Sequence, residues 1–178
     1  ASLDPRIKYK DGERYLRDLS YALNMPREEI CKELSQYDCS KDAFRIVLGG
    51  VEAENLGIRD PLEKEAMTAP IALDRVALHI CTARVKQDLA DPQNAVLLRP
   101  AANAGKSRKP NPAWMKQTVS GLYDTLLGRD ATEYETTQMV RFYDEVSKVG
   151  RKANPNAVTD WVTLGCFAVA SSTESVFY

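Results

Sequence analysis

The sequence predicts an all-α fold: a single domain, residues 1–178, that forms a bundle of about six to seven helices with a basic, proline-rich central loop. Three observations lead to this prediction. Prolines stand where helices begin, apolar residues recur at helical spacing, and the period-two alternation of strands joined by hairpin turns is absent. The chain is long enough for a substantial core. A division into an N-terminal segment, 1–58, and a main bundle, 59–178, is the alternative organisation.

Five of the nine prolines directly follow an aspartate or an asparagine. An Asx side chain accepts a hydrogen bond from a free amide of the first helical turn, and proline at the next position loses no hydrogen bond there. Each pair therefore predicts a helix start. The pairs are Asp4-Pro5, Asp60-Pro61, Asp91-Pro92, Asn111-Pro112 and Asn154-Pro155.

Three short helices are predicted before residue 58, separated by turns at 24–26 and 38–40 and stopped by Gly57. Their apolar residues follow the spacing of a helix face. These residues are Tyr15, Leu16, Leu19, Ala22 and Leu23 in the first helix, Ile30, Cys31 and Leu34 in the second, and Phe44, Val47, Leu48 and Val51 in the third.

A longer central helix follows, in which Pro70 interrupts or restarts the pattern. Arg84 falls on its apolar face, which predicts that this arginine snorkels, pairs with a buried acid or faces a partner. The apolar face itself is built from Leu73, Val76, Ala77, Ile80, Cys81 and Val85.

Three further helices are predicted after the central loop: 112–127 ended by Gly128, 133–149 ended by Gly150, and 155–170. Only 95–98 resembles a strand. The apolar C-terminal tip, 176–178, is predicted to dock on its own core or on a neighbouring subunit. In the helix over 133–149, the spacing places the aromatic residues on the core side; these are Tyr134, Phe142 and Tyr143.

The triplet Gly105-Lys106-Ser107, within the loop 99–112, matches the last positions of a phosphate-binding P-loop. That motif requires a flexible glycine where Pro100 stands, and a helix that starts at the lysine. Two prolines, Pro110 and Pro112, would break such a helix. We therefore expect no nucleotide hydrolysis, and no Ser-His-Asp, Cys-His or HExxH pattern predicts another enzyme.

The four cysteines and the single histidine do not predict a metal site, since no CxxC spacing occurs and the ligands would come from distant segments. We expect reduced, buried thiols and no cofactor.

Without a charged-then-apolar leader at residue 1, we expect a cytoplasmic or virion protein rather than one exported by a signal peptide. The longest nearly apolar run, 161–170, is about half a bilayer span, so no membrane partner is expected.

Positive charge is concentrated in one part of the chain. The formal net charge is only −1, but no acid occurs between Asp91 and Asp124. A basic patch in a near-neutral protein is typical of a surface that meets phosphate or an acidic partner; a solvated loop is the alternative.

The pattern R-K-x-N-P occurs at 108–112 and again at 151–155, and each copy puts two cations at the positive end of a predicted helix. A bound anion would neutralise them, and chance recurrence is the alternative.

A second set of cations lies on the central helix, where Arg75, His79, Thr82 and Lys86 share one polar stripe. His79 has no identifiable acid or nucleophile partner, so a surface position is predicted for it. The predicted nucleic-acid-binding residues are Lys106, Arg108, Lys109, Lys116, Arg151, Lys152, Arg75 and Lys86.

These features favour a structural, nucleic-acid-contacting assembly protein of the viral capsid or nucleocapsid type. We expect it to contact the phosphate backbone, of RNA above all, without sequence specificity. We also expect a homo-oligomer, because many copies sum weak contacts. The alternative is a non-catalytic helical adaptor or scaffold that recognises an acidic protein partner through the same basic face.

Overall fold

The computed structural model describes residues 10–33, 36–50, 57, 68–98, 110–149 and 152–177. The fold is an all-α helical bundle, as predicted. The α-helices within these ranges are α1 (Gly12–Ala22), α2 (Ala69–Ala90), α3 (Pro112–Leu127), α4 (Glu133–Val146), α5 (Ala157–Ala170) and α6 (Thr173–Val176). Two antiparallel pairs of two-residue strands accompany them, β1 (Lys32–Glu33) with β2 (Tyr37–Asp38) and β3 (Lys148–Val149) with β4 (Lys152–Ala153).

Helix α5 lies at the centre of the bundle, with α2 against one part of its surface and α3 and α4 against others. Its Trp161 is fully buried and packs against Trp114 of α3 and Tyr143 of α4, with ring centroids 5.9 Å apart in both cases. Gly165 permits the close approach of α3, since a Cβ there would lie 3.2 Å from Leu122 Cδ1. The core is therefore organised around one helix rather than around a symmetric pair.

Helix α3 has the bounds that the sequence predicts. The Asn111 side chain accepts a hydrogen bond from the amide of Ala113 at 2.9 Å, and Pro112 occupies the first helical position. Gly128 ends the helix in the left-handed conformation, with φ 65°. Helix α2 also begins as predicted around Pro70, and its six predicted core residues are all buried. The predicted start at Asp60-Pro61 and the stop around Gly57 fall on or beside residues outside the described ranges.

The second and third predicted N-terminal helices are wrong. Residues 26–30 form a turn, β1 and β2 form a short hairpin, and the π turn Cys39–Ala43 leads into further turns. A disulfide joins Cys31 to Cys39, whose Cα atoms are 5.6 Å apart. The pairing of β1 with β2 brings these two Cα atoms together, whereas a helix continued from Cys31 to Cys39 would separate them by about 12 Å.

A second disulfide joins Cys81 of α2 to Cys166 of α5. The expectation of reduced thiols is therefore wrong. Helix packing brings these two Cα atoms to 5.8 Å, within the range that a disulfide spans. This proximity depends on the packing of α2 against α5 and is not visible in a sequence separation of 85 residues.

The C-terminal tip docks on its own chain, one of the two predicted alternatives. Val176 is buried, and its carbonyl accepts a hydrogen bond from the amide of Lys10 at 2.9 Å. Phe177 packs against the core with part of its side chain. Among the described helices, none is both long and apolar enough to cross a bilayer.

Candidate binding surfaces

Four of the eight predicted binding residues lie in the described ranges, and all four are exposed. They come from three separate elements, because Arg75 and Lys86 lie on α2, Lys116 lies on α3 and Lys152 lies on β4. The other four predicted residues lie outside the described ranges; these are Lys106, Arg108, Lys109 and Arg151.

The two R-K-x-N-P segments build different helix starts. At the first, Asn111 caps α3 directly, and the first turn of α3 contains no acid. At the second, Asn154 turns the chain three residues before α5 begins. Its Oδ1 accepts from the amide of Asn156 at 2.9 Å, and its Nδ2 donates to Asp160 Oδ2 at 2.8 Å. Asp160 lies in the first turn of α5, where a carboxylate is favourable to the helix dipole. The first turn of α5 therefore carries an acid that compensates the helix dipole, whereas the first turn of α3 carries none.

Helix α2 presents apolar side chains to solvent along one line. Ile71, Leu78 and Leu89 are 69%, 42% and 55% exposed. Their spacing of seven and eleven residues returns them to nearly the same helix angle over five turns. Arg75 and Lys86 lie along the same side, and Asp74 is the exposed acid of this helix. We call Ile71, Arg75, Leu78, Lys86 and Leu89 the α2 face.

Helix α4 lies at the edge of the bundle and buries only Tyr143 to the full extent. Tyr134 and Phe142 are 74% and 37% exposed, so the prediction that they face the core is wrong. The exposed charged residues of α4 are Glu133, Arg141, Asp144 and Glu145. Arg141 and Glu145 share the side of Tyr134 and Phe142, whereas Glu133 lies on the opposite side of the helix from Phe142. We call Tyr134, Arg141, Phe142 and Glu145 the α4 face.

Arg84 pairs with a buried acid, one of its three predicted environments. Its Nε donates to Asp88 Oδ1 at 2.7 Å, and its Nη1 donates to the carbonyls of Leu23 and Asn24 at 3.3 and 3.4 Å. Both side chains are almost completely buried. Arg84 thus ties the end of α1 to α2 and has no access to a ligand in bulk solvent.

Asp88, which the sequence reasoning missed, organises the segment that follows α2. Its carboxylate accepts hydrogen bonds from the amides of Val96, Leu97 and Leu98 at 3.0, 2.7 and 2.9 Å. The apolar segment 95–98 is therefore not a strand, because its amides bond to a side chain. The available sequence signal is an acid four residues after Arg84 on the same helix.

A second arginine centre lies on the surface near the start of α4. Arg129 donates to Glu135 Oε1 at 2.8 Å and to Glu174 Oε2 at 2.6 Å, and its guanidinium lies 5.0 Å from the centre of the Tyr123 ring. These hydrogen bonds, with those from Thr132, hold the pKa of Glu135 at about 2. The same guanidinium lowers the pKa of Glu174, and partial burial raises the pKa of Tyr123.

His79 is exposed, as predicted, and its Nε2 accepts a hydrogen bond from the amide of Lys32 at 3.5 Å. Within the described ranges, no three His, Cys, Asp or Glu side chains lie close enough together to bind a metal ion.

A shallow cavity of about 230 Å³ lies where α1 begins. Its amides are already bonded, because the Asp11 side chain caps α1 and the Gly12 amide donates to the carbonyl of Leu48.

Comparisons with protein-family models, with curated proteins and with solved structures find no significant match.

Proposed function

We propose that the protein is a non-enzymatic assembly protein, a disulfide-tied helical scaffold that acts through the outer faces of its helices. The observation that supports this most directly is the α2 face, where three large apolar side chains share one exposed line. Single exposed apolar residues are ordinary on a protein surface. Their alignment with cations over five turns is the pattern by which a helix contacts a partner.

The free energy available at such a face is appreciable. Full burial of one leucine or isoleucine side chain contributes about 1.5–3 kcal/mol. The backbone of α2 is held by the Cys81–Cys166 disulfide and by the buried pair of Arg84 and Asp88. A helix that is already ordered loses less conformational entropy when a partner binds. The α2 face therefore suits the role of a preformed contact surface.

Contact with a polyanion is the second candidate function. It is supported by the exposure of Arg75, Lys86, Lys116 and Lys152 together with the acid-free segment between Asp91 and Asp124. Few cations per copy suffice when affinity is summed over an assembly. RNA bound through its phosphates, without sequence specificity, fits this chemistry best.

The proposed compartment is an oxidising one, since two disulfides persist poorly against the reductants of the cytosol. A virion surface satisfies this condition. It replaces the cytoplasm as the environment that we propose for the folded protein.

Sedimentation velocity of the oxidised protein tests both candidates. We expect the sedimentation coefficient to rise with protein concentration, and to rise less for the variant Ile71→Ser/Leu89→Ser. Tyr21→Ser is the matched control, because Tyr21 is 92% exposed on another helix. A monomer at every concentration would overturn the assembly proposal and favour an adaptor for a different protein.

Adding single-stranded RNA at low and moderate salt tests polyanion contact. Salt-sensitive co-sedimentation is expected, because released counterions make phosphate binding fall with salt. The variant Arg75→Ala/Lys86→Ala/Lys116→Ala/Lys152→Ala should lose most of it while far-UV circular dichroism stays unchanged. Equal RNA binding by this variant and the unmodified protein would exclude these four cations as the contact.

A further inference from the structure

We draw no further inference here: the strongest candidate, the line of exposed apolar side chains Ile71, Leu78 and Leu89 on α2, belongs to the surface already described, and nothing within the described ranges shows what covers it.

Discussion

Helices α2 and α4 both expose apolar side chains, but the bundle holds them in different ways. Helix α2 buries ten residues, carries one half of a disulfide and encloses the Arg84–Asp88 pair. Helix α4 fully buries one residue and is held at its start by the partly exposed Arg129 centre. An arginine paired with carboxylate therefore occurs twice: Arg84 with Asp88 in the buried core, and Arg129 with Glu135 and Glu174 in contact with solvent. A buried pair must be complete to be tolerated, whereas an exposed pair is screened by water and salt.

We expect the largest loss of stability from Asp88→Ala, which breaks the buried pair. It leaves the Arg84 guanidinium buried without its carboxylate and removes the acceptor of three amides in 96–98. Breaking a buried pair on one side costs about 3–5 kcal/mol, to be measured by urea denaturation. Asp74→Ala, an exposed acid on the same helix, is the control. Equal losses from the two substitutions would contradict a special role for Asp88.

We expect the next largest loss of stability when the disulfide between α2 and α5 is removed. Replacing Cys81 and Cys166 by alanine should lower the free energy of unfolding by about 2–4 kcal/mol. Replacing Cys31 and Cys39 in the same way should cost less, since the separation is 8 rather than 85 residues and the loss of chain entropy grows with loop length. The reverse order would show that the short hairpin, and not the α2–α5 contact, limits stability.

We expect a smaller loss of stability when Arg129 is replaced. Arg129→Ala removes the contacts to Glu135 and Glu174 that tie α6 to the start of α4. Because these groups are in contact with solvent, the shift in denaturation midpoint should be well below that of Asp88→Ala and should shrink in high salt. Arg141→Ala on the outer side of α4 is the control. A shift as large as that of Asp88→Ala would mean that exposure does not distinguish the two centres.

The smallest effect should be present near neutral pH and disappear in acid. The pKa of Glu135 is lowered from 4.5 to about 2 by Arg129 and Thr132. A depressed carboxyl pKa stabilises the folded state fully above the unfolded value, and this contribution is lost as the pH falls from about 4.5 towards 2. The thermal midpoint of the unmodified protein should therefore exceed that of Glu135→Gln at pH 6, and the difference should close near pH 2. A difference that stays constant over this range would remove Glu135 as the titrating group.

Local signals predicted some elements closely and failed for others. Helix α3 was predicted residue by residue, because the Asn111 cap and the left-handed Gly128 act within one turn of the chain. Helix α4 ends three residues before its predicted bound, because Lys148 and Val149 form β3. Helix α5 begins two residues after its predicted bound, because residues 155–156 form a turn. Helical spacing around Ile30 and Leu48 predicted helices, but the chain forms turns there and a short strand pair at Cys31–Cys39.

The sequence likewise predicted some features of the candidate surfaces and missed others. The exposure of Arg75, His79, Thr82 and Lys86 was predicted correctly, because the apolar residues of α2 recur at helical spacing on the opposite side. The exposure of Tyr134 and Phe142 was not, because an apolar pattern does not reveal how much of an edge helix its neighbours cover. The role of Asp88 depends on amides eight to ten residues away, which no periodicity indicates.

The sequence by itself determined the helical class, both ends of α3, the core side of α2 and the uneven placement of charge. These follow from hydrogen bonds and side-chain periods that operate over a few residues. Tertiary structure alone decided which cysteines meet, which acid neutralises Arg84 and which apolar residues remain in solvent on α2 and α4. Those outcomes depend on distances between segments far apart in the chain, and only the packing of the helices sets such distances.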